Sequence, residues 1–170
     1  RAYVSGRFSP EAFDLTTGVI DVNPGDGQGL RDGFEMGGSY YWVKERSLWR
    51  SQDNGLEPAY WDGPDEVSPV VGSPSIHGVG RGVRWVVICG EQGAYRFDGG
   101  DPGDPITDEI RPTWKRINWD YGHLLWCVVD AENQRVCIGV PLDSSTVVNA
   151  MLVLDYSDGW SNAMNTPGFG

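Results

Sequence analysis

Two histidines, three cysteines and a large excess of acidic residues bound the chemistry open to this chain. His77 and His123 each stand beside a glycine, in stretches that read as loops. A Ser–His–Asp relay can be written from Ser75, His77 and one of many aspartates. Nearness in sequence does not build a triad, however, and no Gly-x-Ser-x-Gly turn is present to expose a nucleophile. Loop histidines without a catalytic part are the expected reading. Glycoside hydrolysis needs two carboxylates about 5–10 Å apart. Among 24 acidic residues Asp62 and Glu109 make a conceivable pair, with nothing further in the sequence to join them. No glycine-rich phosphate loop leads into a helix. No catalytic residue is assigned, and the chain is read as a non-enzyme.

Two acidic loops raise the question of a metal. Asp98, Asp101 and Asp104 are separated by glycine and proline, and Asp26 and Asp32 fall within Asn23 to Asp32. Oxygen-rich loops of this kind can bind calcium. Glycine and aspartate are also ordinary turn formers. Neither loop carries the closing glutamate of a calcium-binding hand, since Phe34 stands where a hand counted from Asn23 would need it. No metal and no cofactor are expected. Cys89, Cys127 and Cys137 each lie inside an apolar run without Cys-x-x-Cys spacing. They read as buried, free thiols acting as small core hydrophobes, which fits folding in a reducing compartment.

The formal net charge of −11 argues against a nucleic-acid partner, because phosphate neutralisation needs clustered Lys and Arg. The nearest thing to a cluster is Lys44, Arg46 and Arg50 on one expected hairpin. No segment has the length of a membrane span, so no membrane partner is expected. The chain begins with Arg rather than Met, which fits an excised or processed piece of a longer polypeptide.

The elements that must position these residues read as strands. With 24 Gly and 11 Pro recurring between apolar runs, 170 residues suit one domain of many short strands joined by turns. The clearest unit runs from Leu124. Apolar runs at 124–129 and 135–140 flank a polar turn, a third run follows at 150–156, and a fourth short segment holds Trp160. A second hairpin spans Val83 to Cys89 and Ala94 to Phe97. A helical turn over Ile106 to Ile110, with Thr107 as its N-cap, and a strand over Pro112 to Ile117 come after it. The first hairpin pairs Ser39–Lys44 with Ser47–Gln52, with further strands at 57–61 and Val67 to Val71. Before it stand a helical turn over Pro10 to Phe13, a strand over Val19 to Val22, the loop Asn23 to Gly29 and a helical turn near Leu30 to Phe34. Tyr40, Tyr41, Trp42, Trp49, Tyr60 and Trp61 crowd this unit. Alternation puts Tyr41 with Val43 on one face and Tyr40 with Trp42 on the other. One face is read as core. The other would pack on a neighbouring unit or stack on sugar rings.

The three hairpins begin about 40 residues apart, the repeat length of a propeller blade. The predicted fold class is therefore all-β: a β-propeller-like array of small four-stranded antiparallel meanders, about three blades of a partial propeller, with helix confined to single turns. A compact β-sandwich is the structural alternative.

Three stretches together resemble the propeller-type domain of virion proteins from the tail or neck of tailed bacteriophages. The first is Ile20 to Arg50, with Asn23-Pro24-Gly25-Asp26-Gly27 followed by Tyr41-Trp42-Val43-Lys44-Glu45-Arg46-Ser47-Leu48-Trp49. The second is Gly93-Ala94-Tyr95-Arg96-Phe97-Asp98-Gly99-Gly100 with Pro105-Ile106-Thr107-Asp108-Glu109-Ile110. The third is Asp130 to Trp160, with its Arg-Val-Cys-Ile-Gly-Val-Pro strand and its Leu-Val-Leu-Asp-Tyr…Gly-Trp-Ser ending. Their order carries the resemblance, which covers most of residues 19–162. It implies a structural role through protein–protein contacts, in a virion assembled in the bacterial cytoplasm. It carries over no catalytic residue. Separately, three blades leave two open apolar sides, so the chain is expected to pair with copies of itself as a homo-oligomer or to sit within a larger polypeptide or particle, with other virion proteins as partners. A glycan-binding or glycan-hydrolysing propeller is the alternative function.

Overall fold

The computed structural model describes residues 1–5, 11, 13–156 and 166–167. The chain is all-β, built as three consecutive antiparallel meanders preceded by a short strand pair. The pair joins β1 (Ala2–Tyr3) to β2 (Val19–Ile20). The first meander contains β3 (Leu30–Met36), β4 (Ser39–Lys44), β5 (Leu48–Gln52) and β6 (Asp62–Ser68). The second has β7 (Val79–Arg81), β8 (Val86–Gly90) and β9 (Gly93–Phe97). The third has β10 (Trp126–Asp130), β11 (Arg135–Val140), β12 (Ala150–Asp155) and β13 (Thr166–Pro167). Each sheet keeps its strands in chain order, as short turns between antiparallel neighbours require.

The sheets pack on one another in sequence, and strand alternation makes that possible. In β8 successive residues face opposite neighbours. Val86 and Ile88, with Tyr95 and Phe97 of β9, meet Phe34, Tyr41, Val43 and Leu48 of the first sheet. Val87 and Cys89, with Ala94, meet Cys127, Val136, Ile138 and Leu152 of the third. All five residues of β8 are buried, as expected of a strand covered on both faces. Phe34 stacks on Tyr41 at 5.3 Å, and the Phe97 ring meets Tyr41 edge-on at 4.9 Å. The opposite face of the first sheet carries Trp42, packed against Ala2, Ile20 and Val22 of the N-terminal pair and its extension. Among the described residues, no apolar cluster joins the first sheet to the third.

Several expected elements are corrected. Leu30 to Phe34 is no helical turn but part of β3, the edge strand of the first sheet. Its Arg31 and Asp32 sit at a bulge between Leu30 and Asp32 and reach outward, to Glu45 and Arg81 respectively. Residues 57–61 are not a strand. Pro58–Tyr60 is a 3₁₀ turn, and the strand beside β5 is β6, which overlaps the expected Val67–Val71 strand only at Val67 and Ser68. Pro112 to Ile117 is not a strand either. Arg111–Trp114 forms a single α-turn, α1, with Pro112 in its first turn, where a missing N–H costs nothing. Trp114 and Ile117 are three residues apart, which puts both on the third-sheet core. The turn expected over Ile106 to Ile110 is present as a 3₁₀ turn at Asp108–Ile110. The Thr107 hydroxyl does not cap it; it accepts from the Ala94 N–H at 3.1 Å. The expected Pro10–Phe13 turn lies partly, and the Trp160 segment wholly, outside the described residues.

Candidate functional site

The structure disperses most of the residues whose types suggested chemistry. Ser75 is buried, and its Oγ accepts the backbone N–H of His77 at 3.1 Å, so it closes a turn. The His123 ring lies 6.1 Å from that of Tyr121, in a 3₁₀ segment whose Gly122 packs against Pro74, and among the described residues no hydrogen bond joins His123 to Ser75. Asp62 and Glu109 are both exposed and sit on different units, Asp62 taking a hydrogen bond from Asn54 Nδ2. Three of the five carboxylates named in the two acidic loops are engaged by the protein itself. Asp101 Oδ1 accepts the Gly103 N–H, Asp26 pairs with Lys44, and Asp32 pairs with Arg81. Among the described residues, no three His, Cys, Asp or Glu side chains converge as a metal site would need.

The basic trio does not form a surface patch. Lys44 is 2% exposed, and its Nζ donates to Val22 O, Asn23 O and Asp26 Oδ1 at 3.0, 3.0 and 2.5 Å. That ammonium holds the loop Asn23 to Gly29 against the first sheet. Both aromatic faces of β4 are used internally, Tyr41 with Val43 against the second sheet and Trp42 under the N-terminal pair. Of the cysteines, Cys89 and Cys127 are buried and free. Burial, then a hydrogen bond with Cys127, pushes the Cys89 thiol well up. Cys137 is free but only half buried, which corrects its expected place in the core. The period of 2 predicts this: Val136 and Ile138 point inward, so Cys137 points outward.

Cys137 marks a surface that residue-by-residue reasoning missed. The register of the third sheet sets Trp126, Gly139 and Met151 in one row, and Val128, Cys137 and Val153 in the next row on the same face. The rows between them, Cys127–Ile138–Leu152 and Val129–Val136–Leu154, face the core. None of Trp126, Val128, Cys137, Met151 or Val153 belongs to an apolar cluster, and Val128 is 52% exposed. A side chain at Gly139 would collide with the Trp126 indole, so the glycine makes room for the ring over β11. One end is closed by a charged row, Asp130, Arg135 and Asp155, in which Arg135 lies 3.6 Å from Asp155. An uncharged centre with a charged rim is how protein interfaces are composed. The signal in the sequence was the apolar residues at the odd as well as the even positions of 126–129, 136–140 and 151–154. A sheet covered on one side only would have alternated.

No protein-family model matches the chain, and no curated protein is significantly similar to it.

Proposed function

We propose that this chain is a non-enzymatic structural component of a phage particle, in the tail or neck, acting through protein–protein contacts with copies of itself and with other virion proteins. The order of the three motif stretches supports the phage context. The observation that carries the contact role is the apolar outer face of the third sheet, which belongs to no apolar cluster among the described residues. Within the chain, sheet faces are buried by other sheets, the first against the N-terminal pair and the second between its two neighbours. The outer face of the third sheet has the same composition and no such cover among the described residues. A second copy of the chain supplies a sheet of like build. The face spans three strands spaced about 4.8 Å apart, which makes it the centre of a contact rather than the whole. A standard interface buries about 800 Å² per partner, so the rim must take part.

Light scattering over a wide concentration range tests this. The chain is expected to associate, and Val128→Asp, which sets a charge in the centre of the face, is expected to weaken association roughly tenfold or more. A monomer at every concentration, or association indifferent to Val128→Asp, overturns the reading.

A further inference from the structure

A second surface lies at the opposite end of the stack. A cleft of about 710 Å³ opens between the N-terminal strand β1 and the edge strand β3. That volume falls within the roughly 300–1,000 Å³ of small-ligand sites. Five aromatic residues line it, one of them Phe34, whose ring is buried against Tyr41. Tyr40 and Trp42 form its floor, and Tyr3 and Phe13 stand on the wall at 54% and 55% exposed. The floor is rigid, because Tyr40 is stacked on Trp61 at 4.7 Å and on Trp42 at 6.4 Å. The exposed Tyr3 and Phe13 rings and the half-buried Tyr40, over a buried Trp42, offer flat apolar platforms.

The polar groups narrow the class of ligand. Each guanidinium in the lining already has a carboxylate: Arg1 pairs with Asp21 at 2.7 Å, and Arg31 with Glu45. Asp32 is matched by Arg81 at 2.7 Å. Glu35 accepts the Gly38 N–H at 2.9 Å and is the carboxylate without a cationic partner in the lining. Among the described residues the wall therefore carries no unpaired guanidinium for an anion, and a chain of net charge −11 repels one. Strand addition by a peptide is also opposed. At Gly33, in the middle of β3, the N–H donates to Asp32 Oδ1 at 2.7 Å and the carbonyl accepts from Arg81 at 3.2 Å. The free edge is plugged where an added strand would pair. Recognition must then run through side chains. Aromatic faces suit the C–H faces of sugar rings, and paired carboxylates and guanidinium groups suit hydroxyls. We propose that this cleft binds a neutral oligosaccharide.

The test is binding of the full chain to an array of neutral oligosaccharides, among them cellohexaose, chitohexaose and maltohexaose, followed by calorimetric titration. At least one is expected to bind saturably. Tyr3→Ala and Phe13→Ala should each weaken binding several-fold while leaving the melting temperature unchanged, because both rings are exposed. Val128→Asp should leave binding intact, so failure here and failure of the assembly reading are separable. Absence of binding across the array overturns the proposal. So does binding that survives both aromatic substitutions, or tighter binding of an extended peptide than of any glycan.

Discussion

Lys44 carries its charge into the interior of the first unit, where three oxygens receive it. Two are backbone carbonyls of the incoming loop, so the side chain fastens residues 22–26 to β4 in place of water. Removing one partner of such a pair strands the other, which costs more than the pair contributes. Lys44→Met is therefore expected to lower the melting temperature at neutral pH by something on the order of 10 °C. The pH dependence has a definite sign. The Lys44 ammonium, with help from the Gln28 backbone N–H, holds the Asp26 carboxyl below its ordinary value. A depressed carboxyl contributes stability above the unfolded pKa and loses it as pH falls through the folded one. The gap between wild type and Lys44→Met should thus be fully present at pH 7 and should narrow below about pH 4. Thermal melts at the two pH values check this; a gap that stays constant would show that Lys44 acts by packing alone.

At the scale of elements, the contact between second and third sheets is the most demanding. β7 approaches β10 closely enough that a Cβ on Gly80 would lie 2.6 Å from Cys127 Sγ and 3.2 Å from Val129 Cγ2. Gly80→Ala is expected to destabilise by about 1–3 kcal/mol through overpacking. Adding Cys127→Ala, which removes the sulfur, should restore part of the loss. Strict additivity in denaturant melts of the two single variants and the double variant would disprove the contact. This approach was invisible in the sequence, where β7 is only Val79, Gly80 and Arg81 between loops. What was legible had a local cause. The hairpins of β4 with β5, β8 with β9, and β10 with β11 show as apolar runs around short polar turns, and each forms. Elements whose character depends on distant partners were not legible. β3 read as a helical turn, and Arg81, which pairs with its Asp32, lies 49 residues away. Residues 112–117 looked like a strand because Trp114 and Ile117 are apolar, although their spacing is that of a helix turn. Asp26 and Asp32 looked available because the cations that engage them, Lys44 and Arg81, belong to other elements.

For the molecule as a whole, two properties pull against each other. A net charge of −11 on 170 residues makes copies repel. On the proposed reading the outer face of the third sheet, with Trp126, Val128, Cys137, Met151 and Val153, would draw them together as its water is released. The balance depends on salt in a direction that separates this kind of association from a charge-driven one. At about 0.1 M salt the Debye length is about 10 Å, and repulsion between acidic rims reaches across an interface; near 1 M it is about 3 Å and most of that repulsion is gone. The apolar term is not screened, and salts excluded from protein surfaces strengthen it. Self-association should therefore tighten as sodium chloride rises, and further in sodium sulfate. Partners held by opposite charges would separate under the same treatment. Sedimentation velocity at a fixed protein concentration, from low to high salt, measures this. Dissociation on adding salt would mean that copies meet through the charged row of Asp130, Arg135 and Asp155 rather than through the apolar face beside it.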